Sequence, residues 1–249
     1  MTQKVREIIS SNIYESIFVD ESLSEKISFE QNMIMRLKPY YGKTVSELCS
    51  RFGVLNKPKN ILEILFGKML GINGKISRVE EFAKADIIPK FIRLKKNEKI
   101  TESMSFPAFK FIEVYKNYFE NSEVYEYFTT KKFLFVVFKY NKQNELYFSH
   151  FKLWNMPMMI IEHDLRWVYE QTRELIIEGN IVKSIDMKGR RNTNFPNKGE
   201  NNYVHVRPHA KNKFDVYELP VEDGLTKQKA FTKHCFWLNN SYVSKIVGD

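Results

Sequence analysis

Phe133-Leu134-Phe135-Val136-Val137-Phe138 is an unbroken run of large apolar side chains set between Lys132 and Lys139. Phenylalanine and valine favour the pleated backbone, so the run reads as a strand over Phe133–Lys139. Successive side chains on a strand point to opposite faces, and a run with no polar face has to be covered on both. Such a strand belongs in the middle of a sheet with helices packed on either side. The rest of the chain carries the pieces. Ile87–Leu94, Met104–Ile112 and Glu145–Trp154 are strand-like, rich in Phe, Val, Ile and Tyr, and basic turns such as Lys95-Lys96-Asn97-Glu98-Lys99 separate them.

Helical periodicity marks Lys4–Phe18, then an acidic linker over Val19–Glu25, then Glu30–Leu37 and Val45–Phe52 divided by Pro39-Tyr40-Tyr41-Gly42. Asn60 opens a helix carrying Ile61, Leu62, Ile64, Leu65, Phe66, Met69 and Leu70, which stops near Gly71. The clearest helix is His163–Glu178. Asp164 stands at its start, Leu165, Val168, Tyr169, Leu175 and Ile176 form one stripe, and Gly179 ends it. Lys183–Asn202 has few apolar residues and reads as a long basic loop, a length usually reserved for function. Tyr203–Arg207 and Cys235–Leu238 resume as strands, and Asn239–Val247 closes as a helix. The expected class is α/β, a mixed β-sheet flanked by helices, behind an N-terminal helix and linker over residues 1–27.

Composition narrows the partners. An apolar share of 43% suits a globular chain, and the apolar runs fall well short of the roughly 18–20 residues a membrane span needs. Met1-Thr2-Gln3-Lys4 leads into no signal-like apolar stretch, and Cys49 and Cys235 are too few and too far apart for a disulfide framework. The expectation is a cytoplasmic protein. Its 39 Lys and Arg outnumber 30 Asp and Glu, a net charge of +9, which points to a polyanion such as nucleic acid.

Tyr203-Val204-His205-Val206-Arg207-Pro208-His209-Ala210-Lys211-Asn212 suits that partner. With Val204 and Val206 facing the core, His205 and Arg207 share the opposite face. Pro208 turns the chain and delivers His209, Lys211 and Asn212 on a loop. Arg, Lys and Asn carry donors that match guanine and adenine edges or phosphate oxygens; the plainer alternative is an edge strand running into a solvated basic loop.

Val206-Arg207-Pro208-His209-Ala210-x-Asn212 followed by Phe236-Trp237-Leu238-Asn239-Asn240 resembles the MutH family. The family joins the mismatch-repair nuclease with GATC-cutting type II restriction endonucleases of the Sau-three-A-I kind. Glu102-Ser103-Met104-Ser105-Phe106-x-Ala108-Phe109-Lys110-Phe111, Phe133-Leu134-Phe135, Met156-Pro157, Glu178-Gly179 and Thr226-Lys227-Gln228 extend the likeness in order from about Ser28 to the C-terminus. It is nearest the C-terminal half of the Sau-three-A-I type.

The resemblance implies a restriction-endonuclease-like domain over 28–249 that binds double-stranded DNA, with oligomers forming on DNA. It also implies a carboxylate pair and a lysine that would hold and use Mg²⁺. Glu63, Glu81 and Lys90 match parts of that pattern, but Ile88 stands where Glu-x-Lys needs its carboxylate. Asp86 would sit roughly 6–7 Å from that place on a strand, and Pro89 favours an edge or a bulge. The implied domain is therefore a degenerate effector, needing no cofactor of its own, that binds a second GATC site and helps a catalytic MutH-like domain of the same enzyme. An active Mg²⁺-dependent endonuclease is the alternative. Phosphate contacts are expected from Lys90, Lys110, Lys188, Arg190, Arg191 and Lys198. Base contacts are expected from Arg207, His209, Lys211 and Asn212, with Asn239 beside them and Trp237 either at that face or in the core. Lysine is frequent in the family where His209 stands.

Other features read plainly. His234 and Cys235 suit a surface histidine and a core cysteine rather than a metal pair. Met156, Met158 and Met159 read as a packed corner, and Gly71, Gly74 and Lys75 lack the spacing of a phosphate loop.

Overall fold

A computed structural model describes residues 14–17, 27–56 and 58–248. The expected helix over Lys4–Phe18 and its linker fall largely outside these residues. Within 14–17 the chain is extended rather than helical, and Glu15 forms a parallel bridge to Val79. The chain divides into two compact units, Met1–Glu98 with Lys131–Trp154, and Lys99–Thr130 with Asn155–Asp249.

In chain order the elements are α1 (Phe29–Leu37), α2 (Val45–Phe52), α3 (Ile61–Met69), α4 (Glu80–Lys84), β1 (Ile87–Leu94), β2 (Met104–Phe109), α5 (Phe111–Lys116) and α6 (Glu123–Thr130). There follow β3 (Lys132–Tyr140), β4 (Leu146–Trp154), α7 (Met158–Ile160), α8 (Arg166–Ile177), β5 (Val182–Ile185) and β6 (Arg191–Thr193). The last are β7 (Val204–Pro208), β8 (Val216–Glu218), β9 (Ala230–Thr232), β10 (His234–Leu238) and α9 (Asn240–Gly248).

The first unit is built around the order β1-β3-β4, with β1 parallel and β4 antiparallel to the central β3. Phe133 through Phe138 are each 0% exposed, as an all-apolar central strand demands. Leu134, Val136 and Phe138 pack with Leu62, Leu65, Phe66 and Met69 of α3 and with α1 and α2. Phe135 stacks instead on Trp154, and Phe133 meets it tilted, at 5.5 and 5.6 Å between centroids. Each such side chain removed from water contributes about 1.5–3 kcal/mol. Pro89 can sit within β1 because that strand lies at the sheet edge, where a missing N–H costs least. Ser28 and Thr44 close complete capping boxes at α1 and α2.

The second unit centres on the antiparallel order β2-β10-β7. The π-helical turn Ile161–Leu165 leads α7 into α8. Tyr169 of α8 stacks on Phe236 of β10 and donates its hydroxyl to Asn117 O at 2.9 Å, so α8 covers the Val204, Val206 and Phe236 face. Gly179 ends the helix at φ +64°, and a Cβ there would lie 2.5 Å from Glu222 O. Glycine is required for that approach.

Several expectations change. Among the described residues the strands fall into two three-stranded sheets and two two-stranded pairs rather than one sheet. Strand character ends at Phe109, and Phe111 already opens α5. Asp164 lies inside the π turn and accepts from Asn201 instead of capping the helix. Lys183–Asn202 is no structureless loop, because β5 and β6 pair as a hairpin. Of the three methionines only Met156 is packed; Met158 and Met159 are 52% and 74% exposed.

Candidate nucleic-acid interface

β7 lies at the edge of its sheet, and its two faces differ. Val204 and Val206 turn inward beneath α8, while His205 and Arg207 look the other way beside Trp237 and Cys235 of β10. His205 takes the face of Arg207, as alternation expects, but is only 3% exposed. Its Nδ1 shares a 2.6 Å hydrogen bond with Asn239 Oδ1, and burial, with Arg207 and Lys198 nearby, pushes its pKa down.

Arg207 is exposed, with its guanidinium 4.0 Å from the centroid of Trp237. Trp237 donates Nε1–H to Arg207 O, and the His209 ring meets its edge at 5.3 Å. The indole is only 7% exposed, so it supports Arg207 from beneath. A cation over an indole face gains about 0.5–2 kcal/mol and loses side-chain freedom, which fixes the guanidinium fork before any ligand arrives. Asn239 is likewise interior: one end meets His205, and its Nδ2 donates to Asn201 O at 2.7 Å.

His209, Lys211 and Asn212 are exposed on the following loop. Asp215 Oδ2 accepts Lys211 N, Asn212 Oδ1 accepts Phe214 N, and His209 N donates to Lys233 O. A 2.5 Å ion pair joins Asp215 to Lys233. The Lys233 ammonium beside it lowers the Asp215 carboxyl, while Asp215 raises the Lys233 pKa. Asp215 and Lys233 were not among the sequence candidates; the spacing Asn212-x-x-Asp215 is the turn signal that marks Asp215, and only the fold brings Lys233 to it.

The β5–β6 hairpin carries the second basic group. Asp186 Oδ1 accepts N–H from Lys188 and Arg190, its Oδ2 accepts Arg190 Nε at 2.7 Å, and Gly189 turns at φ +72°. Those hydrogen bonds hold the Asp186 carboxyl below its usual range. Lys188 and Arg190 remain exposed. Arg191 lies over the Phe231 ring at 4.5 Å and also reaches Gln228 Oε1. Phe231 of β9 precedes Lys233, so β9 links this hairpin to the Arg207 loop. Lys110 is exposed at the start of α5, and Lys198 donates to Asn240 Oδ1.

The carboxylate and lysine candidates belong to the first unit. Ile87 and Phe91 of β1 pack with the α3 cluster, so Ile88 and Lys90 share the opposite face. Glu63 is half-buried on α3. Glu81 is engaged by the 14–17 segment: Oε1 accepts Ser16 Oγ at 2.5 Å, and both its oxygens lie 3.1 Å from Ile17 N. Asp86, at φ +53°, pairs with Lys131. Among the described residues, no three His, Cys, Asp or Glu side chains converge as metal ligands would.

No family model matches the chain. It is 27% identical, over 281 aligned positions, to the type II restriction enzyme Sau3AI of Staphylococcus aureus. The alignment covers 100% of this chain and 57% of that enzyme, so the chain spans little more than half of its relative's length. No helix among the described residues is long and apolar enough to cross a membrane. The likeness to a restriction enzyme along the whole chain supports its place in the Sau3AI/MutH-like family.

Proposed function

We propose that this chain is a sequence-specific duplex-DNA-binding domain with a restriction-endonuclease-like fold, reading a GATC-type site as the effector part of a type II restriction enzyme. The observation that carries the reading is Arg207, exposed on an edge strand and held over Trp237 at 4.0 Å beside His209, Lys211 and Asn212. A prepositioned guanidinium matches guanine O6 and N7 with two parallel donors. Asn212 offers the amide suited to adenine, although its Oδ1 already accepts Phe214 N. Lys110, Lys188, Arg190 and Lys198 supply phosphate contacts, which set register and salt dependence.

Magnesium does not suit the residues on β1 and its neighbours. A hard cation takes oxygen ligands. Ile88 offers none, the Glu81 carboxylate already accepts from Ser16 and Ile17, and Asp86 is paired with Lys131. The domain would therefore bind a second copy of the site and hold a catalytic MutH-like domain near its own, raising the effective concentration of that partner.

Gel-shift competition with GATC, adenine-methylated GATC and scrambled duplexes tests the binding. Preference for a GATC duplex is expected, and equal competition by the scrambled sequence refutes it. Plasmid incubated with the chain and Mg²⁺ should remain intact. GATC-dependent nicking would replace the effector reading with an active endonuclease.

A further inference from the structure

The chain contains 20 phenylalanines, and among the described residues Phe214 alone is exposed, at 78%. Every other described phenylalanine is buried or half-buried. Phe214 sits in Lys211-Asn212-Lys213-Phe214-Asp215, on the loop that follows Arg207. The loop is not slack. Phe214 N donates to Asn212 Oδ1 at 2.9 Å, Asp215 N to Asn212 O at 3.2 Å, and Lys211 N to Asp215 Oδ2 at 3.0 Å. Asp215 is in turn tied to Lys233. The Lys213 ammonium lies 5.0 Å from the ring centroid, so the exposed ring has a cation beside it.

A single exposed apolar side chain is ordinary on a protein surface. A phenylalanine held outward by a pinned turn, with Lys213 against its ring and continuous with the Arg207 strand, is a different arrangement. The Lys213 ammonium suits a phosphate beside a base step, and an aromatic or aliphatic wedge between bases is a recurrent means of kinking a duplex. The geometry points to Phe214 as a wedge that enters the base stack of the bound duplex beside the bases read from the Arg207 loop. This rests on the DNA-binding reading above and adds that the duplex is deformed on binding. The cost of unstacking depends on the step, so Phe214 contributes selectivity at a base pair that no polar group touches.

Duplexes carrying 2-aminopurine singly at each adenine position within and beside the site report the stack. With the native chain, fluorescence should rise at one position when the complex forms. Phe214→Ala should abolish that rise and weaken binding about tenfold, as expected for loss of one aromatic–base contact. Phe214→Trp should restore the affinity and leave the probed step unstacked, as shown by permanganate reactivity of its thymine. A complex that forms with no bright position, or a rise that survives in Phe214→Ala, overturns the wedge while leaving DNA binding in place. Failure of the native chain to prefer a GATC duplex overturns the binding reading, and the wedge with it. Capture of an acidic protein surface with unchanged DNA behaviour in Phe214→Ala would give the ring to a protein partner instead.

Discussion

His234 offers a test of the sheet beneath the basic face. Its side chain is 0% exposed, with rings of Phe231 and Phe195 at 5.3 and 5.2 Å. Nδ1 lies 2.6 Å from Thr232 O and donates to it, while Nε2 has no partner. Burial, with Arg191 nearby adding repulsion, lowers the pKa from 6.5 to about 4. The unfolded chain therefore takes up a proton that the native state refuses between those two values, so stability rises with pH through that window and falls on acidification. The full difference is about 3 kcal/mol, and most of it is gone by about pH 4.5. His234→Phe fills a site of matching shape among aromatic rings and removes the titration, at the loss of the bond to Thr232. Urea unfolding of both proteins at about pH 7 and about pH 4.5 isolates the effect, because every other group titrates alike in the two. The native protein should lose about 2–3 kcal/mol more than the variant on acidification. Equal losses would mean that the imidazole is hydrated or protonated in the folded state, and the packing argument would fall.

Arg207→Lys should lower discrimination between GATC and scrambled duplexes by about 1–3 kcal/mol, since an ammonium keeps the charge but not the fork or its seat on Trp237. Competition binding checks it, and uniform weakening across sequences would mark Arg207 as a phosphate contact. The log of affinity should fall steeply and linearly with log salt concentration; a flat response would remove the ionic basis of binding. Asp215→Asn should reduce selectivity with little change in the urea midpoint, because Asp215 pins the loop at the protein surface. A large stability loss would assign it to the fold instead. Asp223 is 0% exposed and accepts N–H from Ile181, Val182 and Thr226. Burial pushes its carboxyl up, but the hydrogen bonds from Thr226, Val182 and Ile181 outweigh that and hold it low. Asp223→Ala should therefore destabilise by about 3 kcal/mol in denaturant unfolding, from several stranded donors.

Where local signals and tertiary demands agree, the sequence reads well. β1 has the bounds Ile87–Leu94 expected of it, α2 those of Val45–Phe52, and the Phe133–Phe138 run is the buried centre of its sheet. Misreadings occur where one signal masks another. Phe109-Lys110-Phe111-Ile112 has strand-like composition, yet β2 ends at Phe109 and α5 begins after Lys110. α6 is rich in Val, Tyr, Phe and Thr, all poor helix formers, and it is secured by Ser122 Oγ accepting Tyr125 N. The β5–β6 hairpin has little apolar content, and its signal was the turn Asp186-Met187-Lys188-Gly189 rather than periodicity.

The candidate interface is legible as a set of residue types and much less so as an arrangement. Alternation correctly places Arg207 on the face opposite Val204 and Val206, because the period of a strand is a local property. It fails for His234 and does not tell how exposed His205 and Trp237 are, because exposure is decided by what covers a face, and β10 is buried along its whole length. A one-sided strand would have left His234 on the surface opposite Cys235. A central strand encloses both, and an imidazole enclosed among phenyl rings becomes a titratable strain instead of a ligand. The same enclosure separates Trp237 and Asn239, which hold, from Arg207, His209, Lys211 and Asn212, which are free to touch. Their division follows from burial and geometry that a linear motif does not contain. Truncating Trp237 should accordingly cost selectivity through Arg207 without removing any direct contact to DNA.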